Sequence, residues 1–306
     1  MKILVSGSSG LIGSALLPLL SAGGHSVTRL VRPGSRVSPG SAAGEVGWDP
    51  APGRLEPRAL EGFDAVVHLA GDSIAGGRWT PERKARIRDS RVQGTRLLAQ
   101  ALAERSHPPQ VLLSASAIGY YGDRGDVLLT EDSLPGSGFL ADVCRDWEAA
   151  TEPAMKRGIR TVHLRIGLVL SAAGGALARM LPPFRAGLGG VLGSGRQYMS
   201  WIALGDVLGA IHHALTNQSL RGPVNIVAPA PVSNREFTKT LGLVLRRPTL
   251  FPAPAFVLRL AFGEMADALL LASTQVSSSR LEASGYRFSY RKLDDALRHE
   301  AVGGRQ

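Results

Sequence analysis

Seven residues near the start, Gly7-Ser8-Ser9-Gly10-Leu11-Ile12-Gly13, make a GxxGxxG run between a strand-like and a helix-like stretch. Such a run suits a dinucleotide. The first glycine permits a tight turn, the second lets a pyrophosphate approach the backbone, and the third lets the helix pack closely on the strand. The helix N-terminus then offers free N–H groups and a partial positive charge to the phosphates. A lone glycine run is weak evidence, since a bare glycine turn has the same composition. Here it sits on a strand–turn–helix with a second strand ending at Arg32, the context a dinucleotide fold requires.

The end of that second strand selects the cofactor. An acid there would hold a ribose 2′-hydroxyl. The chain reads Thr28-Arg29-Leu30-Val31-Arg32, with Val31 in the acid's place and Arg32 next to it. A guanidinium grips a 2′-phosphate bidentately, whereas a carboxylate repels it. The pattern predicts NADP(H); the bland alternative is a solvated strand end.

Other chemistries find little support. The seven histidines are scattered, with no metal-ligand spacing to Cys, Asp or Glu. His212 and His213 lie in a predicted helix, where neighbours diverge by about 100° and cannot chelate together. Gly193-Ser194-Gly195 lacks the strand–helix setting of a hydrolase elbow. Cys144 is the single cysteine, which excludes an intramolecular disulfide framework. The net charge of +10 comes from 35 basic and 25 acidic residues. Its densest basic stretch, Arg78–Arg96, lacks the interleaved aromatics of a single-strand nucleic-acid platform. It reads as a solvated helix face, and nucleic acid is not an expected partner.

The elements that must position these residues alternate. Strands are expected at Lys2–Ser6, Ser26–Arg32, Asp64–Ala70, Gln110–Ser114 and Thr161–Leu170, and helices at Leu11–Ala22, Thr80–Arg105 and Asp142–Arg157. Thr80-Pro81 is an N-cap followed by Pro at the first helical position. Repeated β-α-β units with buried strands predict an α/β fold, a Rossmann doubly wound parallel sheet. Residues 171–200, rich in Gly, Pro and small residues, read as a mobile loop over a ligand. Helices at Asp206–Thr216, Asn234–Leu245 and Ala255–Leu271, a strand at Pro223–Ala228 and a last helix from Lys292 form a smaller C-terminal α/β substrate lobe, with a frayed tail at Ala301–Gln306. The expected division is 1–166 for the NADP-binding Rossmann domain and 167–306 for the lobe. With 306 residues the chain can bury about 75% of its unfolded surface. It shows no secretory leader and no apolar run of membrane-spanning length, so it reads as soluble and cytoplasmic.

Several stretches together resemble the atypical extended short-chain dehydrogenase/reductases, the NAD-dependent epimerase/dehydratase-like family. They are the GSSGLIGS opening, HLAG at His68–Gly71, Arg78-Trp79-Thr80, Asp89-Ser90-Arg91, AIGYYG at Ala117–Gly122, Asp146-Trp147-Glu148, LRIG at Leu164–Gly167 and Ser200-Trp201-Ile202. The resemblance spans essentially the whole chain. About 247–298 is similar to the small DUF1731-like domain that ends this family. It implies that Leu69, Ala70 and Gly71 line the adenine and ribose edge of the cofactor. It puts Arg91 near the phosphates or the nicotinamide ribose, Ser114 and Ala115 at the strand end under the nicotinamide, and Ile166 with Gly167 beside it. The loop Gly193–Ser200 would cover the substrate.

The departures from the family pattern bear on catalysis. The family uses a Tyr as acid/base and a Lys four residues later. Aligned by position, Cys144 stands for the Tyr and Glu148 for the Lys. A thiol is a conceivable acid/base, although a carboxylate one turn away raises its pKa and Arg145 points elsewhere on the helix. A small buried apolar residue is the alternative for Cys144. Ser116 is the hydroxyl donor implied by the family, with Ala117 as the competing alignment, and Tyr120 is a replacement acid. Asp123, Glu131 and Asp132 could orient a substrate. Met199-Ser200 replaces the Arg-Asp of nucleotide-sugar enzymes, so a nucleotide-sugar epimerase is not implied; Arg196 is a partial substitute.

Two functions follow. One is an NADP(H)-binding oxidoreductase or epimerase-like protein acting on an unidentified small molecule, without the usual Tyr-x-x-x-Lys pair, in which Ser116, Tyr120 or Cys144 handles the proton. The other is a catalytically inactive NADPH-binding sensor or scaffold. No metal, membrane or nucleic-acid partner is expected, and the apolar helix near Ala255–Leu271 is either core or the face of a homodimer.

Overall fold

The computed structural model describes residues 1–33 and 44–302. The first strand, β1 (Lys2–Ser6), alternates its side chains between two cores. Ile3 and Val5 join one cluster and Leu4 the other, and Ala65, Val67 and Val66 of a second strand divide in the same way. A strand buried on both faces must be a continuous apolar run, which is why these segments stand out in the sequence.

After β1 come α1 (Leu11–Ala22), β2 (Ser26–Val31), β3 (Gly44–Asp49), β4 (Arg54–Leu55), β5 (Ala65–His68), α2 (Pro81–Ala103) and β6 (Val111–Ala117). Thr80 caps α2 as expected, its hydroxyl accepting the Arg83 N–H at 3.2 Å. A short β7 (Leu128–Leu129) precedes α3 (Phe139–Ala149), α4 (Glu152–Lys156), β8 (Arg160–Ile166) and β9 (Leu168–Leu170). The remainder is α5 (Gly175–Arg185), β10 (Tyr198–Met199), β11 (Trp201–Ala203), α6 (Leu204–Thr216), β12 (Gly222–Ile226), β13 (Val232–Ser233), α7 (Asn234–Leu245), α8 (Ala255–Phe262), β14 (Gln275–Val276), α9 (Ser279–Ala283) and α10 (Leu293–Val302).

The main sheet has the order β12-β8-β6-β5-β1-β2-β3-β4. All neighbours run parallel except β4, which turns back on β3. The order reverses between β1 and β5, and a ligand crevice opens at the carboxyl ends of the strands there. This is the doubly wound sheet expected.

Several expectations need correction. Residues 171–200 contain α5, whose Leu177, Leu181 and Phe184 lie on one helical face and enter a third core with Trp201, Phe237 and Leu297. The helix expected over 142–157 starts earlier, at Phe139, and splits into α3 and α4, with Pro153 in the first turn of α4. The strand expected over 161–170 breaks at Gly167, where a Cβ would stand 2.5 Å from the Ser200 carbonyl oxygen. The helix expected over 255–271 is interrupted at Gly263 (φ +61) and resumes as a π-helical turn at Ala266–Leu271. Strand β12 returns to the main sheet, so the second half crosses the division expected at 167. The last helix ends at Val302, and the rest of the tail expected to fray lies outside the described residues.

Candidate functional site

The glycine loop turns tightly at Gly7 (φ +68), and neither Gly7 nor Gly13 has room for a side chain. A Cβ on Gly7 would meet the Leu69 carbonyl at 2.6 Å, and one on Gly13 would meet the Gly7 carbonyl oxygen at 2.2 Å. Gly10 N-caps α1 without a side-chain hydrogen bond, so the N–H groups of the first turn remain available. They border a cavity of about 460 Å³ lined by Ser9, Gly10, Leu11, Ser14, Gly174 and Gly175. This cradle of glycines, small residues and free N–H groups, with no acidic side chain in its lining, fits a pyrophosphate. Leu11, Ile12, Ser8 and Ser9 all fall on this loop and first turn.

At the adenosine end Arg32 is exposed just after β2. The sequence reading passed over Arg29, which is buried under the loop. Its Nε donates to Ser8 Oγ at 3.1 Å, and its Nη1 pairs with Glu45 Oε1 of β3 at 3.2 Å.

The crevice floor is built around His68. Its Nδ1 lies 2.6 Å from Ser6 Oγ and its Nε2 lies 3.0 Å from Thr95 Oγ1, which also accepts the Trp147 indole N–H at 2.8 Å. Burial holds His68 down at about 4, so it stays neutral and ties β1, β5, α2 and α3 together. Leu69, Ala70 and Gly71 leave the sheet directly after it, at the switch point. The Arg91 guanidinium lies against Gly71, 3.2 Å from where a Cβ would stand, with its Cζ 5.1 Å above the Trp147 ring. Its Nη1 donates to Ile87 O at 3.0 Å. Burial lowers its pKa, and the neighbouring Cys144 and Asp72 oppose that.

Strand β6 continues to Ala117, past the end expected at Ser114. Ser114, Ala115 and Ser116 are therefore all buried, with Ser116 next to last in the strand, near its carboxyl end. Ile166 ends β8 beside it, in register with Ala117. The Ser116 hydroxyl donates to Glu148 Oε1 at 2.6 Å. Glu148 in turn takes Arg165 Nε and Nη2 at 2.8 and 2.9 Å. Arg165 also donates to Tyr121 Oη at 2.9 Å and lies with its Cζ 3.5 Å from the Tyr120 ring centroid. Tyr121 is fully buried and donates to Asn225 Oδ1 at 2.7 Å, a structural contact. Tyr120 is half-buried in a 3₁₀ turn, with its ring on the Arg165 guanidinium.

Cys144 does not suit the acid/base role considered for it. It is buried, and burial together with the Glu148 carboxylate pushes its thiol up to about 12. Arg145 pairs with Asp142 and Asp146 at the surface; Arg91 and Arg165 are the cations that act on the thiol. The three polar-loop acids also have structural work. Glu131 accepts the Asn225 N–H, Asp132 pairs with Arg280 and Asp123 accepts the Ser273 N–H. The loop Gly193–Ser200 is tied down: Gln197 donates to Leu270 O, and Ser200 Oγ donates to Thr274 O and accepts the Val276 N–H. Arg196 is exposed. The histidines diverge, with His212 toward His25 and His213 toward Ser284.

A parallel sheet with this order and a glycine cradle at its switch point define a dinucleotide-binding protein of the extended short-chain dehydrogenase/reductase class. The chain belongs to the NAD dependent epimerase/dehydratase family, which it matches over residues 3–227. Residues 253–300 match a domain of unknown function, DUF1731. An epimerase family protein of Mycobacterium bovis is 46% identical over 295 residues, covering 96% of each chain. The human epimerase family protein SDR39U1 is 37% identical over 301 residues, covering 97% of this chain and 99% of that one. The crystal structure of its isoform 2 with NADPH superposes with a TM-score of 0.87 at 35% identity, over 98% and 99% of the two chains. UDP-glucuronic acid 4-epimerase from Bacillus cereus with NAD, at 18% identity and a TM-score of 0.77 over 98% and 95% of the chains, shares the fold alone.

Proposed function

We propose that the protein is an NADP(H)-dependent oxidoreductase or epimerase-like enzyme acting on a small molecule, with its proton chemistry moved off the usual Tyr-x-x-x-Lys pair. The observation that carries this reading is the hydroxyl of Ser116, which stands near the carboxyl end of β6 with its hydrogen directed at Glu148. A hydroxyl that donates to a carboxylate keeps its lone pairs for the proton of a substrate alcohol. Ser116 Oγ would take that proton while passing its own to Glu148, and the reverse sequence would protonate a carbonyl oxygen. Tyr120 is the second hydroxyl at the site.

The bound nicotinamide would supply or accept the hydride. The glycine loop would hold the pyrophosphate, Leu69–Gly71 and Arg91 would flank the ribose and phosphates, Ile166 would border the nicotinamide, and Arg32 would grip the 2′-phosphate. That human SDR39U1 was crystallised with NADPH supports this cofactor. A cytoplasmic homodimer belongs to the same reading, with the exposed Phe256 and Leu260 of α8 as the apolar face.

A titration of the protein with NADPH and NADH, followed by its tryptophan fluorescence, tests the reading with Arg32→Ala alongside. NADPH binding that is tighter than NADH binding, and weaker in Arg32→Ala, is expected. Turnover with NADPH on a panel of carbonyl compounds then separates an enzyme from a sensor. The sensor reading draws on one fact: the positions aligned with the Tyr and the Lys hold a buried thiol and a carboxylate already paired with Arg165.

A further inference from the structure

Arg29 is a cation where the sheet has no packing need for one. Its strand neighbours Val27 and Leu30 are buried apolar residues, and its own side chain is only 4% exposed. It lies two residues before Val31 and therefore on the same face of β2, under the residue that follows the Gly7 turn. Ser8 Oγ accepts the Arg29 Nε–H, so the hydroxyl hydrogen is directed elsewhere, and no described side chain or backbone group takes it. Glu45 stands directly across the β2–β3 ladder from Arg29 and meets Nη1 at 3.2 Å with a carboxylate one-third exposed. A guanidinium has five N–H donors, and Ser8 and Glu45 engage only Nε and Nη1.

We infer that Arg29 is a second, recessed guanidinium of the 2′-phosphate site, and that Glu45 sets the cofactor preference by neutralising part of its charge. The inference rests on the NADP(H) reading above. Arg32 would grip the phosphate from the exposed side of the strand end. Ser8 would donate its hydroxyl hydrogen to a phosphate oxygen, and Arg29 would supply charge from beneath. The Glu45 carboxylate opposes that anion, so the wild-type site is weaker for the phosphate than its two arginines allow.

The test is a fluorescence titration with NADPH, NADH, 2′,5′-ADP and 5′-ADP on wild type, Arg32→Ala, Arg29→Leu and Glu45→Gln. Arg29→Leu should weaken NADPH and 2′,5′-ADP by about tenfold or more, the scale of a lost charge-assisted hydrogen bond, and leave NADH and 5′-ADP unchanged. Glu45→Gln should tighten NADPH and 2′,5′-ADP with no effect on NADH; it decides the question if Arg29→Leu fails to fold. A wild type that prefers NADPH through Arg32 but whose preference is indifferent to Arg29 and Glu45 overturns this inference alone. Equal losses of NADPH and NADH in Arg29→Leu overturn it too, since they mark a purely structural arginine. A wild type that binds NADPH no tighter than NADH overturns the NADP(H) reading and this inference with it.

Discussion

Glu148 of α3 and Arg165 of β8 meet at two points, Nε to Oε1 at 2.8 Å and Nη2 to Oε2 at 2.9 Å, with only 11% and 3% of their side chains exposed. The fork fixes the carboxylate plane, and the same Oε1 accepts the Ser116 hydroxyl. One ion pair therefore positions the serine and anchors α3 on the sheet. Removing one partner of a buried pair leaves an uncompensated charge, a loss of about 3–5 kcal/mol. Arg165→Met should lower stability by that order in urea unfolding. Glu148→Gln should also lower stability, because it strips the buried guanidinium of its counter-charge and puts an amide N–H against Nη2, although its one oxygen still accepts from Ser116 and Arg165 Nε.

The glycine loop gives a steric prediction. A Cβ on Gly13 would stand 2.2 Å from the Gly7 carbonyl oxygen and 2.8 Å from Ser8 Cα, both backbone atoms that cannot swing away. Gly13→Ala should push α1 off the loop, reduce thermal stability and abolish NADPH binding. Gly24→Ala is the control, since no atom lies within 4 Å of its Cβ and the strain there comes only from φ +75. It should lose a little stability and bind normally.

Burial of His68 makes acid stability depend on it. Its pKa is about 4 in the fold against 6.5 for the free side chain. A depressed pKa contributes stability that is present above 6.5 and is lost as pH falls toward 4, here by about 3 kcal/mol at most. His68→Gln should weaken the protein at pH 7 by losing hydrogen bonds to Ser6 and Thr95, and should flatten the decline between pH 6.5 and 4. Thermal melts across that range would show both effects; an acid limb unchanged by the substitution would contradict them.

The thiol of Cys144 titrates in the opposite sense. Its pKa rises from 9.0 to about 12 on folding, so the stability it contributes is full below pH 9 and is lost as pH rises toward 12. Cys144→Ala should remove that part of the alkaline decline. In the native protein at pH 8 the thiol should react slowly with a disulfide reagent such as DTNB, and fast once urea unfolds the chain.

The nucleotide half of the site was legible because its demands are local. A turn too tight for side chains, a helix N-terminus beside it and an arginine at a strand end are all spelled within Gly7–Arg32. Continuous apolar runs, buried on both faces, likewise made β1, β5 and β6 visible. The chemical half was not, because its contacts join residues far apart in sequence: Ser116 with Glu148, Glu148 with Arg165, and Arg29 with Glu45 across β2–β3. Arg165 lies in a strand that the sequence places without giving this arginine a role, and an interior Arg directly before the Ile-Gly end of that strand was the available signal. Helix α5 escaped notice because its glycines and prolines masked the spacing of Leu177, Leu181 and Phe184.

Ser116 and Tyr120 can be told apart by turnover. Ser116 donates to Glu148 and stands near the end of β6, whereas Tyr120 makes no side-chain hydrogen bond to a described residue and is held by its ring on Arg165. If the serine carries the proton, Ser116→Ala should lower kcat by about 10²–10⁴-fold, the usual worth of general acid–base catalysis, with NADPH affinity unchanged. Tyr120→Phe should then act mainly on KM, since the ring and its contact with Arg165 survive. Glu148→Gln should follow Ser116→Ala in kcat, because the amide holds the serine in place but takes no proton. A kcat collapse in Tyr120→Phe alone would move the proton to the phenol. Full turnover in Ser116→Ala would remove the serine–glutamate relay from the mechanism.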